Sequence, residues 1–273
     1  PANIFSLARV YLEHGFAERD RVSKWVYHSP VAHVSSGEIK QAWEYGLQIF
    51  GQMTPIADAQ MVNLLLKLFS EMGLNNLSLE INNIGCIECQ PAYQEQLRGY
   101  FKDKKYDLCE NCLDHLDRGN TLRILACTNL SCTTAAAEAP ALIDYLCENC
   151  RRHFIAVLEG LDELGIVYNL NPKVIGTPWS RKTVVEIRYH GLPALAAPGT
   201  TNSDVTLGSG GHADDLIQGL GGAPVPALGF AGTLDAIMRA LEIANIKFAN
   251  KNKVDVFLVP LGELAAKKTL RLF

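Results

Sequence analysis

Apolar strands alternating with amphipathic helices predict a mixed α/β domain, and one segment holding all eight cysteines predicts a small metal-binding module set into it. Three observations carry this reading. Ile39, Gln41, Trp43, Tyr45, Leu47 and Ile49 place bulky side chains at every second position, the period of a strand. Thr54-Pro55, with Asp58 in the following turn, is a helix start, since proline fits the first helical position and an acid suits the first turn. The cysteines all fall between Cys86 and Cys150, at spacings suited to tetrahedral thiolate sites.

Taken in order, residues 5–16 repeat Leu7, Val10, Tyr11 and Leu12 at helical spacing, with Gly15 as a stop. A short strand is expected at 24–28. The strand at 39–49 carries Lys40, Glu44 and Gln48 on the face opposite its bulky residues, so it reads as half-buried, its polar face turned to something other than the core. A helix is expected over 54–72, closed by Gly73, then a strand over 77–84. Beyond the cysteines, a long helical pattern over 138–164 starts near Pro140, and strands are expected at 167–170, 183–189 and 205–207. Gly208-Ser209-Gly210-Gly211 reads as a turn leading into a helix at 212–218. A loop at 220–224, a buried strand at 227–230 and a helix at 233–243 follow. Residues 247–253 read as a charged linker, and those from Val254 as the first strand and helix of another α/β domain, cut short.

A chain of 273 residues, 48% hydrophobic and 20% charged, suits one large domain plus an insert. A net charge of -4 argues against a wholly basic nucleic-acid surface, which excludes DNA as a partner and confines any RNA contact to a local patch. The run from Arg98 to Lys105, with Tyr100, Phe101 and Tyr106, is such a patch or, more commonly, a solvated helix face. No apolar run approaches the roughly 20 residues that span a bilayer, so no membrane association is expected and the cytoplasm is the expected compartment. Thiols stay reduced there, which favours metal ligation over disulfides. Starting at Pro1 without methionine, the chain reads as a fragment or a processed product.

Cys86-x2-Cys89 and Cys109-x2-Cys112 have the paired-knuckle spacing of a four-thiolate site, and Cys127, Cys132, Cys147 and Cys150 form a second set. Pairing of the first knuckle with the third or fourth is the open alternative. Cys109-Glu110-Asn111-Cys112 is echoed by Cys147-Glu148-Asn149-Cys150, each opening a helical pattern, which reads as an internal repeat. Four thiolates leave no open position on the ion, so the expected cofactor is structural zinc, ahead of an iron–sulfur cluster whose ligand runs are missing here.

The run Leu79-Glu80-Ile81-Asn82-Asn83-Ile84-Gly85-Cys86, the knuckles, Leu122-Arg123-Ile124-Leu125 and Leu161-Asp162-Glu163-Leu164-Gly165-Ile166 together resemble bacterial histidyl-tRNA synthetases that carry a cysteine-rich insert. Tyr11-Leu12-Glu13-His14-Gly15, the segment from Phe50-Gly51 to Asp58-Ala59, Leu220-Gly221-Gly222, Ala227-Leu228-Gly229-Phe230 and Val254-Asp255-Val256-Phe257 keep the same register, so the resemblance covers almost the whole chain. It implies an α+β fold, a class II aminoacyl-tRNA synthetase-like antiparallel sheet flanked by helices, with the small Cys-rich module inserted. The implied division is a core over residues 1–84 and 153–250, an insert over 85–152, and the start of an anticodon-binding-like domain over 251–273. A homodimer is implied as well.

The family activates histidine with ATP and transfers it to tRNA, chemistry that relies on arginines to hold and neutralise phosphates. At those arginine positions the resemblance puts His33, Ile175, Ala236 and His212. Glu44 and Gln48 stand where the family has a glutamine and a glutamate, an exchanged pair still able to bind an imidazole. The implied substrate-binding residues are therefore Glu44, Gln48, Gly208, Gly210, Gly211 and Trp179, and the implied nucleotide-binding ones His33 and His212. The leading reading is a synthetase-like binding or regulatory paralogue with lost or reduced catalysis, taking histidine or a nucleotide as ligand. The alternatives are an active histidine–tRNA ligase with a rearranged site, needing ATP, magnesium and tRNA, and a structural zinc protein acting in assembly.

Overall fold

A computed structural model describes residues 3–35, 38–191, 204–246, 258–259 and 261–269. Its centre is a seven-stranded sheet formed by β1 (Ser23–Ser35), β2 (Glu38–Phe50), β3 (Leu77–Asn83), β4 (Asn169–Leu170), β5 (Arg181–His190), β6 (Asp204–His212) and β7 (Ala227–Thr233). The spatial order is β1-β2-β7-β6-β5-β3-β4, and only the short β3–β4 pair is parallel. The alternation expected of residues 39–49 is present, but burial divides the strand along its length. Trp43 is 44% exposed, whereas Glu44 and Gln48 are 3% and 2% exposed. From Gly46 onward both faces of β2 are covered, one by helices and the other by the walls of a cavity.

Helices α1 (Asn3–Glu13) and α2 (Phe16–Arg19) pack at one end of the sheet, where Tyr11 stacks on Phe50 at 4.5 Å between ring centres. α3 (Pro55–Glu71) starts as its Thr54-Pro55 pair dictates, and Ala57, Met61, Val62, Leu65 and Phe69 put one apolar stripe against the sheet. The insert begins with α4 (Gln90–Asp103) and continues through α5 (Glu110–Asp117), α6 (Leu122–Leu125) and α7 (Leu130–Ala136) around its own apolar cluster. The run from Arg98 to Lys105 spans the end of α4 and the turn after it; Phe101 faces the insert's core, and the Tyr100 hydroxyl donates to the Ala135 carbonyl at 2.8 Å. The chain returns through α8 (Glu148–Glu163), which packs on α3; α9 (Leu216–Gly219), α10 (Leu234–Ile243) and α11 (Glu263–Thr269) complete the helices. Among the described residues, no helix is long and apolar enough to cross a membrane.

Three expectations are corrected. The long helix expected over 138–164 begins only at Glu148, after a short 3-10 turn at Leu142–Tyr145. Cys147 caps it, so apolar periodicity upstream belongs to a separate turn. The helix expected at 212–218 begins at Leu216 because the strand before it runs on to His212. Gly208 to Gly211 are therefore strand residues, not a turn. Their small size serves the sheet: a Cβ on Gly210 would lie 2.2 Å from the Gly229 carbonyl oxygen of β7. The linker expected at 247–253 lies outside the described residues, as does most of the strand expected at 254–259.

The Gly210 contact gives a test. Gly210→Ala should destabilise the protein by about 1–3 kcal/mol, the cost of overpacking a closed contact. A lowered urea midpoint at unchanged slope is the expected reading, and an unaltered midpoint would refute the steric account.

Candidate ligand cavity and thiol clusters

Large side chains on the sheet face opposite the helices lie over glycines in the neighbouring strand. Tyr27 of β1 is opposite Gly46, where a Cβ would come within 2.6 Å of the phenol oxygen. Gln48 of β2 is opposite Gly229, where a Cβ would meet the Gln48 amide oxygen at 2.1 Å. Each glycine thus leaves room for a polar side chain to lie flat. The Tyr27 hydroxyl donates to Glu44 Oε1 at 3.0 Å, and burial, together with the Glu44 charge, pushes its pKa far above the ordinary phenol value. Tyr27 therefore stays a donor at any physiological pH.

Over this floor opens a cavity of about 250 Å³, lined by Tyr27, Gln48, Trp179, Ser209, Gly210 and Phe230 among others. Trp179 is half-exposed and stands edge-on to Phe5 at 5.4 Å, forming a wall without filling the space. Gln48 Nε2 is buried and has no partner among the described residues, so the cavity holds a donor open to an acceptor. Among the described residues, the lining contains no lysine, arginine or carboxylate.

Of the expected site residues, Gln48, Trp179, Gly210, Gly211 and His212 meet at this cavity. Glu44 contacts Tyr27, and Gly208 is packed under Phe230, where a Cβ would meet the ring at 2.5 Å. His33 lies in β1 opposite Lys40, and its side chain is outside the described ones.

His212 is wholly buried and engaged on both ring nitrogens. Its Nε2 lies 2.9 Å from Asp58 Oδ1, and its Nδ1 lies 3.4 Å from Asp214 Oδ1. Asp214 also pairs with Lys182 at 2.7 Å, and Arg181 pairs with Asp215 at 2.7 Å. His153 of α8 brings Nε2 to 3.4 Å from Asp58 Oδ2 without hydrogen-bonding geometry. Burial alone would lower the His212 pKa, but the Asp58 charge and the bonds to both aspartates overcome it and raise the value to about 9. Reciprocally, Asp58 is lowered against its burial by His212 and His153, and Asp214 is lowered to about 2 by His212 and Lys182. Asp58 is not legible as a partner in the sequence, because it lies 154 residues from His212; its place in the first turn of α3 is the signal that points to it.

The eight thiols form two groups of four, with all ligand atoms of a group within 4.8 Å of one another. The grouping is nested and corrects the sequential pairing: Cys86 and Cys89 meet Cys147 and Cys150, while Cys109 and Cys112 meet Cys127 and Cys132. The first knuckle thus joins the fourth, one of the two open alternatives. Cys86 Sγ lies 3.7 Å from Cys89 Sγ and 3.8 Å from Cys147 Sγ, Cys89 lies 3.9 Å from Cys150, and Cys109 lies 3.9 Å from Cys127. A disulfide needs sulfurs about 2.05 Å apart. Four sulfurs about 2.3 Å from a central zinc would be about 3.8 Å from one another. The sulfur spacing therefore fits a tetrahedral ion. The repeat is structural as well: Cys109 and Cys147 cap their helices with matching backbones, φ -71°, ψ 164° and φ -64°, ψ 160°. Asp58, His153 and His212 also lie within 4.8 Å, but there the carboxylate is the centre and the imidazoles surround it.

An antiparallel sheet of this order with a helical layer is the fold of class II aminoacyl-tRNA synthetases. It matches apo S. aureus histidyl-tRNA synthetase at a TM-score of 0.74, with 24% identity, over 97% of this chain and 63% of that one. It also matches the ATP phosphoribosyltransferase regulatory subunit/histidyl-tRNA synthetase from Bacillus halodurans C at 0.55, with 18% identity, over 86% and 62%. At these identities the likeness concerns fold alone. In sequence, the chain is 32% identical to the histidine–tRNA ligase of Clostridium novyi (strain NT) over 96% of its length and 61% of the ligase. It is 33% identical to that of Dehalococcoides mccartyi over 100% and 64%. No family model matches. The chain belongs to the histidyl-tRNA synthetase family, and it spans less than two thirds of the length of these relatives.

The ion network predicts a pH response. The His212 contribution is complete below its unfolded value of 6.5 and is lost as pH rises through about 9. That of Asp214 is complete above 3.8 and is lost as pH falls through about 2. Urea midpoints should therefore fall between pH 6.5 and 9 in the parent chain, and His212→Gln should flatten that fall while lowering stability throughout. An undiminished slope in the variant would assign the response elsewhere.

Proposed function

We propose that this chain is a ligand-binding member of the family without aminoacylation activity of its own, serving a regulatory role. The observation that carries the reading is the cavity lining, which among the described residues has no lysine or arginine. Activation of an amino acid with ATP develops charge on phosphates, and fixed cations commonly supply the stabilisation. Where the resemblance places family arginines, Ile175 is buried with the insert's apolar cluster and Ala236 packs against the main core. The His212 imidazole is taken up by Asp58 and Asp214. Removing a single transition-state donor costs about 2.7–4 kcal/mol in other enzymes, so the loss of several leaves little rate.

What supports retained binding is the polar floor. Gln48 offers a buried, unpartnered amide N–H, and Trp179 offers an apolar wall. Histidine is the ligand we assign, its imidazole accepting from the Gln48 amide, with Glu44 and Tyr27 behind. The relatives named histidine–tRNA ligases favour a second reading, an active ligase with a rearranged site. One pair of measurements separates the two. Calorimetry should show histidine binding that Gln48→Ala weakens about tenfold, the loss of one well-made buried hydrogen bond. Histidine-dependent ATP–pyrophosphate exchange should be undetectable. Exchange at a rate typical of enzymes would overturn the non-catalytic reading, and an absence of histidine binding would overturn the ligand.

Zinc is the ion we assign to both thiol groups, on the sulfur spacing and the all-thiolate donor sets. When bound it would clamp four chain segments and supply no open position for chemistry. The outer group would tie the two ends of an insert over residues 85–152, and the inner group would hold that insert's distal end. Two zinc ions per chain are expected by elemental analysis. Cys150→Ser and Cys132→Ser should each remove one, and a metal content unaffected by both would refute the assignment.

A further inference from the structure

A second cavity, of about 190 Å³, lies between the insert and the loop that carries Trp179. It shares Gly176, Thr177, Pro178 and Ser180 with the larger cavity, so that loop is the wall between them. The opposite side is made entirely by the insert and the turn leading into it: Gln94 from α4, His115 from α5, and Asn120 and Arg123 around α6. In a chain with 29 acidic and 25 basic residues, this lining contains no carboxylate among the described residues. The Arg123 side chain has no ion-pair or hydrogen-bond partner among the described residues, and His115 Nδ1 is buried without one. Side chains able to donate hydrogen bonds therefore line the space from three helices, with no carboxylate beside them among the described residues.

We propose that this cavity is an anion site for a phosphate group, with Arg123 as its principal ligand and His115, Asn120 and Gln94 as supporting donors. An arginine fork suits both carboxylate and phosphate. A carboxylate, however, offers two oxygens in one plane, whereas donors approaching from several helices need an acceptor whose oxygens point in several directions. Volume sets the size of the guest. Pockets for drug-sized ligands run to about 300–1,000 Å³, so this one takes a phosphate or diphosphate group and not a whole nucleotide. The group comes either from a free anion or from the phosphate end of a nucleotide. The insert would thereby bring to the edge of the ligand cavity a cation not held by carboxylates, as the core's His212 is, independently of what the larger cavity binds.

The test is calorimetry on the metal-loaded full chain with inorganic phosphate, pyrophosphate and ATP, run alongside histidine. Pyrophosphate should bind, and Arg123→Gln should weaken it at least tenfold while leaving the histidine response unchanged. Arg123 is exposed, so the substitution leaves the fold intact. Asn120→Asp, which puts a carboxylate on the lining, should weaken pyrophosphate as well. ATP binding no tighter than pyrophosphate identifies a free anion as the guest; tighter binding that still depends on Arg123 identifies the nucleotide's phosphates. Binding of none of the three probes, or binding indifferent to both substitutions, overturns the site. Histidine binding that survives either result keeps this failure distinct from failure of the larger cavity.

Discussion

The Asp58 carboxylate is buried at the first turn of α3, where it accepts from His212 at the end of β6 and lies against His153 of α8. Three elements far apart in the chain are thereby fixed around one charge: the helix layer, the strand that floors the ligand cavity, and the helix by which the chain leaves the insert. Taking a carboxylate out of water costs several kcal/mol, and removing one partner of such a pair typically costs 3–5 kcal/mol because the other is left uncompensated. The start of α3 adds favourable partial charge from its unpaired N–H groups. Asp214 and Lys182 extend the network to the surface, so the charge is balanced in steps and not across one bond.

Around this anchor, the ligand face of the sheet is built by subtraction. Gly46, Gly210 and Gly229 remove side chains where Tyr27, the β7 backbone and Gln48 must lie close, and the cavity is the space that results. Such a surface offers a guest shape and hydrogen bonds. The cation at its edge, His212, is already held by Asp58 and Asp214, and that division between shape and charge underlies the proposed function.

Much of this was legible in the sequence. Alternation over residues 39–49 located β2 and its polar face, Thr54-Pro55 located α3, and the family resemblance supplied the fold that periodicity alone leaves open. The rest depended on information a linear chain does not carry. Knuckle spacing specifies which two thiols share a turn but not which turns meet, so the nested grouping emerged only in three dimensions. The glycines at 208–211 have the composition of a turn, yet they serve a strand crowded by Phe230 and Gly229. His212 reads as a replacement ligand by its position, and its partner Asp58 lies 154 residues away, with the whole insert between them. Burial along β2 was hidden for the same reason: what covers Glu44 and Gln48 comes from elsewhere in the chain.

The nested thiols have a consequence for how this chain tolerates change. Because the outer four bring together the points where the insert leaves β3 and rejoins at α8, the chain enters and leaves the insert as it would a short loop, and the insert's apolar cluster then closes over Ile175 and Val184. Closing a flexible loop costs only about 0.6 kcal/mol more for each doubling of its length. Exposed turns between the outer and inner thiols can therefore lengthen or shorten with little thermodynamic effect on the sheet, whereas the insert's apolar residues that cover Ile175 and Val184 are held to their places by the core they bury.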